Sequence, residues 1–353
     1  MAPHQPRLTR RGLLAGGAAL AAGAFLPWRR LYESLSGPRL TGGVFGPAHA
    51  FAHRLRSGGF PAPTRSDKVG IVIVGGGAAG LSAAWRLRKA GFEDFTVLEL
   101  DAAAGGNARF GESPATPYPW GAHYLPQPDA GSEYVVELLK EFGAVTGRDA
   151  AGRPVFDERM LCHAPEERLF VHGRWEDGLF PRSGASSAEA AAWGRFEARV
   201  DGYRRMKTRD GRPAFAVPME RSSRDPELLA LDRLSFADWL AREDLGGAPL
   251  LWYCDYACRD DFGARPARTS AWAGIHYFAS RGAEETVLTW PEGNGWLTRR
   301  LAEPLKERLK TGALVFRVEE TPGGVEVDWV DAASGEARRL RARAAVVCVP
   351  RFA

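Results

Sequence analysis

The chain has 353 residues, 45% of them hydrophobic and 25% charged, which excludes a disordered polymer and leaves room for roughly two domains. Four cysteines, none in a C-x-x-C spacing, exclude a disulfide-built mini-protein, a zinc ribbon and a thioredoxin-type site. The 47 basic residues, only six of them lysine, are interleaved with 43 acidic ones for a net +4, so no nucleic-acid partner is expected.

Residues 1–11 are polar and basic and end in Arg10-Arg11, and residues 12–26 form a Gly/Ala-rich apolar run. That run is shorter than the ~20 residues a membrane-spanning helix needs, and the charge order resembles a twin-arginine export signal. Residues 1–30 are expected to be this signal. The protein would then be periplasmic or held at the membrane through its N-terminus, the alternative being a cytoplasmic protein with a basic tail. Residues 31–66, rich in Gly, Pro and Arg, are expected to form a linker or arm.

The β-branched run Lys68–Val74 predicts a buried parallel strand. It leads directly into Gly75-Gly76-Gly77-Ala78-Ala79-Gly80, followed by a helical pattern over Leu81–Ala90 that stops at Gly91. Strand, G-x-G-x-x-G turn and helix in that order make a dinucleotide site. Gly75 permits the tight turn, Gly77 lets backbone approach a pyrophosphate, and Gly80 lets helix and strand pack closely. The helix N-terminus, opening at Ala78 and Ala79, supplies unpaired N–H groups to the phosphates. A second strand, Phe95–Glu99, ends in a carboxylate 19 residues after Gly80, which suits ribose hydroxyls and repels a 2′-phosphate. NAD or FAD is expected rather than NADP.

The segment Val97-Leu98-Glu99-Leu100-Asp101-Ala102-Ala103-Ala104-Gly105-Gly106-Asn107 resembles the second FAD-binding stretch of the flavin amine oxidase and phytoene desaturase superfamily. Further matches follow in order. Trp120–Tyr124 resembles the loop beside the isoalloxazine ring, and Trp290–Leu297 the P-x-G-G-x-x-x-L segment that opens the returning helix. Leu314–Val318 resembles the strand whose valine, Val315 here, meets the adenine through its backbone, and Ala344–Pro350 resembles a later strand. The resemblance implies FAD as cofactor, bound by Gly75, Gly77, Ala78, Ala79, Gly80, Glu99, Leu100, Gly105, Gly106, Asn107, Gly121, Ala122, His123 and Val315. It also makes His123 and Tyr124 the catalytic candidates; independently of it, His276 in the aromatic run Ser270–Phe278 is a third, the alternative there being a plain buried helix face. Ala103 and Asn107 depart from the pattern, standing where many relatives carry arginine. Relatives also continue past Ala353 into a G-D segment that binds the cofactor from its other side, so the cofactor domain is expected to lack its last piece.

Between the cofactor segments the pattern is mainly helical, with helices expected over Ser132–Phe142, Ala188–Lys207, Ser235–Arg242, Ala248–Cys258 and Ser270–Ala279, and a strand–turn–strand over Glu167–Trp175. Cys254 and Cys258 are expected to be buried small side chains, with no metal ligated. Asp255, Asp260 and Asp261, beside Tyr253 and Tyr256, are candidates to meet a cationic or hydroxylated substrate. The expected architecture is α/β, a Rossmann-like FAD-binding domain with a parallel sheet (67–130 and 289–353) interrupted by a mainly helical α+β substrate cap (131–288). The expected function is an FAD-dependent oxidoreductase that moves a hydride from a small organic substrate to flavin and passes electrons to an acceptor. Two alternatives stand beside it, an NAD-dependent dehydrogenase and a non-catalytic flavin-fold scaffold.

Overall fold

The computed structural model describes residues 48–129, 131–163, 167–281 and 286–350. The signal expected over 1–30 lies outside them. In chain order the elements that position the site are β1 (Arg65–Lys68), β2 (Ile71–Val74), α1 (Ala78–Lys89), β3 (Phe95–Leu98), β4 (Tyr124–Pro126), β5 (Leu161–Cys162), β6 (Arg168–Val171), β7 (Arg174–Asp177), α2 (Ser187–Arg204), α3 (Phe236–Arg242), α4 (Ala248–Phe262), α5 (Ala271–Ala279), β8 (Val287–Thr289), α6 (Gly295–Ala302), β9 (Leu309–Lys310), β10 (Ala313–Thr321), β11 (Gly324–Asp331), β12 (Ala337–Ala342) and β13 (Ala344–Val347).

A parallel sheet in the order β9-β3-β2-β13 forms the centre of the dinucleotide domain. The two central strands, β2 and β3, are buried and almost wholly apolar, as strands covered on both faces are, whereas the edge strand β13 is largely exposed. On one face, Ile73, Phe95 and Val97 pack against Leu81, Ala84 and Trp85 of α1 and Leu301 of α6. On the other, Val72, Val74 and Leu98 meet Val327, Trp329 and Leu340 of the antiparallel ladder β10-β11-β12. The chain leaves β2 toward β3 on one side and returns to β13 on the other. That reversal of strand order leaves a crevice at the carboxyl ends of the strands, where α/β sheets bind ligands.

The sequence predicts a single strand over Lys68–Val74, whereas the structure divides that run between two sheets. Arg65–Lys68 pairs in parallel with β12, and Ile71–Val74 with β13. The crossing is made at Gly70, where a Cβ would lie 2.6 Å from the Asp94 carbonyl, and Arg343 N–H donates to the Gly70 carbonyl (3.0 Å). Two neighbouring chains thus pass from one sheet to the other side by side.

The helical unit packs α5 against α2, α3 and α4, with Phe196, Phe236, Leu240, Leu250, Cys254 and Ile275 wholly buried between them. Ser235 and Ser270 cap α3 and α5 by accepting the N–H of Asp238 and Ala273, as Ser residues do at N-caps. The helix expected to stop at Cys258 continues to Phe262 and ends on Gly263 in the left-handed conformation, because Arg259-Asp260-Asp261 are polar yet tolerated on an exposed helix turn. Gly274 is where α5 touches α3: a Cβ there would lie 2.3 Å from the Phe236 ring. Gly274→Ala is therefore expected to destabilise the protein by about 1–3 kcal/mol, the usual cost of overpacking a core, measurable as a lower urea midpoint at unchanged m-value.

Candidate cofactor and active site

The turn after β2 is built by close backbone approach. A Cβ on Gly80 would lie 1.8 Å from the Gly75 carbonyl oxygen, so only glycine lets α1 start where it does. Gly77 is the N-cap of α1, and no side chain caps it and no acidic residue sits in the first turn. The first N–H groups of the helix, at Ala78 and Ala79, are thereby left with the partial positive charge that an anion neutralises. Nothing but the Cα of Gly106 comes within 4 Å of a Cβ built on Gly77, at 3.7 Å. Gly105 N–H donates to the Gly76 carbonyl (2.8 Å), and Gly105 and Gly77 form a parallel bridge. The two glycine segments expected to flank a pyrophosphate are joined to each other.

Glu99 ends β3 and is 6% exposed. Gly76 N–H donates to its Oε2 (2.6 Å) and Asp101 N–H to its Oε1 (2.8 Å). Burial pushes its carboxyl above the ordinary value, and the two backbone donors pull the other way. Each oxygen retains a lone pair, so the carboxylate can still accept two hydroxyls. Leu100 follows it, half-buried. Asp101 and Arg109, which sequence reasoning missed, form an ion pair at the rim (2.9 Å), and the Arg109 guanidinium lies over the Trp120 ring, 4.7 Å from its centroid. An arginine one residue short of a strand carried no signal by itself. Its partner Asp101 lay in plain view two residues after Glu99.

The Asn107 carbonyl accepts Ala122 N–H (3.0 Å), and a Cβ on Gly121 would lie 2.5 Å from Asn107 Oδ1. The loop expected beside the flavin ring is thus fastened to the double-glycine segment. Its other edge meets Gly293-Asn294: Asn294 N–H donates to the Ala122 carbonyl (3.1 Å) and its Nδ2 to the Tyr124 carbonyl (2.9 Å). Asn294 stands at the second glycine of the P-x-G-G pattern, and that departure was the only trace of its role. The strand pairs Leu125–Leu288 and Tyr124–Thr289 hold the same loop from below. Val315 lies at a bulge of β10 and packs half-buried on the sheet core.

His123 and Tyr124 are adjacent and exposed, their rings edge to face at 5.0 Å. The His123 ring Nδ1 lies 3.1 Å from the Gly121 carbonyl. Partial burial pushes the Tyr124 hydroxyl up, Glu167, Asp260 and Asp261 add to the shift, and Arg281 opposes it. Asp260 and Asp261 thus bring the acidic end of α4 within electrostatic reach of the Tyr124 hydroxyl. Asp261 pairs with Arg281 (2.8 Å) and Asp255 with Arg259 (2.8 Å), while Tyr253 is packed among the aromatics of the helical core. His276 lies on α5: its Nε2 is 2.8 Å from the Ala216 carbonyl, its ring stacks on Trp272, and burial lowers its pKa from the ordinary value. Cys254 and Cys258 are both buried, with Cys258 pushed up to about 11 by burial. Among the described residues no three His, Cys, Asp or Glu side chains are placed to share a metal ion, and no helix is long and apolar enough to cross a membrane.

The residues present fit an FAD: an uncapped helix N-terminus, a cradle at Gly77 that any Cβ would narrow, and a buried carboxylate with free lone pairs. Comparison with known proteins supports the dinucleotide-binding fold. Residues 73–142 match the NAD(P)-binding Rossmann-like domain. Over 90 residues the chain is 38% identical to the peroxisomal N(1)-acetyl-spermine/spermidine oxidase of Bos taurus, a stretch that is 25% of this chain and 17% of that enzyme. Among solved structures, a putrescine oxidase bound to putrescine superimposes with a TM-score of 0.56 at 18% identity, covering 81% of this chain and 59% of that one. A cyclohexylamine oxidase from Brevibacterium oxydans gives 0.52 at 17% identity, covering 80% and 58%. A fatty acid isomerase from P. acnes gives 0.52 at 18% identity, covering 80% and 59%. The chain spans about three-fifths of the length of these structural neighbours. It has a Rossmann-type α/β fold shared with these two amine oxidases and the isomerase.

Proposed function

We propose that the protein is an FAD-dependent oxidoreductase that withdraws a hydride from a small organic substrate, an amine being the first class to test. The observation that carries this reading is the junction of the two glycine segments through Gly105 N–H and the Gly76 carbonyl, with Glu99 buried beside it, a cradle shaped for a pyrophosphate and a ribose together. When bound, FAD would supply the hydride acceptor and the redox chemistry. The chain's own part is positional. Gly77, Ala78 and Ala79 offer N–H groups to the phosphates, Glu99 accepts the ribose hydroxyls, and Leu100 and Val315 border the adenosine. Gly105, Gly106 and Asn107 carry the loop past the cofactor, and Gly121, Ala122 and His123 line its ring end. A cationic substrate would lie near Tyr124 and the α4 acids, as the putrescine bound to one structural neighbour and the name of another, a cyclohexylamine oxidase, suggest. Electrons would pass on to oxygen, a quinone or another carrier. Export on the Arg10-Arg11 signal belongs to the same proposal, since that route carries folded, cofactor-loaded proteins.

The test is the visible spectrum of the purified protein. Near-ultraviolet and blue flavin bands that bleach anaerobically with a primary or secondary amine are expected. A colourless protein that instead binds NAD overturns the FAD reading, and bands that no amine, alcohol or polyene bleaches favour a non-catalytic flavin-binding role.

A further inference from the structure

Residues 48–60 precede every cofactor motif, yet they are fastened at two points, and both points adjoin the adenosine end of the site. At the first, Ala48 N–H donates to Asp101 Oδ1 (2.5 Å). Asp101 is only 5% exposed, stands two residues beyond Glu99 and donates its own N–H to the Glu99 carboxylate. At the second, Phe60 stacks on Phe316, with ring centroids 4.4 Å apart and planes inclined by 5°. Phe316 is the residue after Val315. The two anchoring strands are neighbours, since Ala313 N–H donates to the Glu99 carbonyl (2.8 Å). Between the anchors run two single helical turns, His49–Ala52 and Arg54–Ser57, neither with a buried residue. Turns this short do not hold themselves in water, so their order derives from the anchors. Arg54 reinforces the second anchor, its guanidinium lying 5.3 Å from the Phe60 ring centroid and 5.5 Å from that of Phe51.

We propose that residues 48–60 are a strap across the adenosine end of the cofactor site, which must swing open before the dinucleotide can leave. The proposal rests on the reading that the chain binds FAD. Its physical basis is the contrast between anchors and span. The anchors join a buried carboxylate and a stacked aromatic pair, whereas the span between them has no fully buried residue and so opens at small cost. Below Phe60 the chain is tied more firmly, Thr64 N–H and Oγ1 both reaching the Ala337 carbonyl (2.9 and 3.2 Å) before β1 joins β12. The hinge therefore falls between Phe60 and Thr64, at Pro61-Ala62-Pro63.

The experiment follows FAD release from the full chain by flavin fluorescence after dilution. Ala48 has φ −66°, which proline adopts without strain, so Ala48→Pro removes the donor alone, and Phe60→Ala removes the stack. The double variant is expected to release FAD about tenfold faster or more, the scale of losing a hydrogen bond to a charged group together with an aromatic pair. Hydrogen exchange on the wild-type chain gives a second measurement that no variant can confound. Amides of residues 48–57 should exchange more slowly with FAD bound than without it. A double variant that releases FAD at the wild-type rate, with exchange over 48–57 indifferent to FAD, overturns the strap while leaving FAD binding intact. A wild-type chain that holds no FAD overturns the strap and the functional reading together.

Discussion

Gly80→Ala yields a protein that retains no flavin and unfolds at markedly lower denaturant, a loss of about 3 kcal/mol or more, at the upper end of overpacking costs. A methyl group there would sit 1.8 Å from the Gly75 carbonyl oxygen, so α1 must move away from β2, and with it the leading N–H groups of Ala78 and Ala79. The contrasting change is Gly77→Ala. Gly77 has an ordinary φ of −77°, and an added Cβ meets only the Gly106 Cα, at 3.7 Å, so this variant should keep its stability to within about 0.5 kcal/mol and still lose flavin, because the methyl group occupies the path of the pyrophosphate. Urea unfolding paired with flavin content separates the two. If both variants keep flavin, the glycine turn is not the phosphate site.

Glu99→Ala leaves the Gly76 and Asp101 N–H groups buried with no acceptor, at about 1–3 kcal/mol for each, and removes the partner expected for the ribose. The expected outcome is a stability loss in the cofactor-free protein and a further weakening of FAD binding, read by titration of apoprotein with FAD. The same carboxyl makes a pH prediction. Burial holds its folded pKa above the ordinary 4.5, so the folded state prefers the protonated form, and this contribution is fully present below 4.5 and lost as pH rises through the raised value. Across that window the cofactor-free protein should lose stability with rising pH, and Glu99→Gln should flatten the slope.

Much of the site was legible because its chemistry is local. The glycines, the helix behind them and Glu99 fall within one strand–turn–helix–strand unit, where spacing alone decides what faces the ligand. Ser235 and Ser270 marked helix starts for the same reason, an N-cap needing only the N–H three residues on. The end of α4 was missed because nothing before Gly263 forbids another turn, and a glycine stop outweighs a change of polarity. The break within Lys68–Val74 was hidden because it depends on partners far along the chain, at 338–347.

By itself, then, the sequence determined the nucleotide-binding unit and its likeness to flavin enzymes, since glycine spacing and a terminal carboxylate act over a few residues. Only the tertiary structure decided how the two glycine segments join, that Asn294 and Asn107 clamp the His123 loop between them, and that residues 48–60 are fastened to Asp101 and Phe316. Each of these is a contact between segments remote in sequence, set by strand order and by which face of each element packs inward.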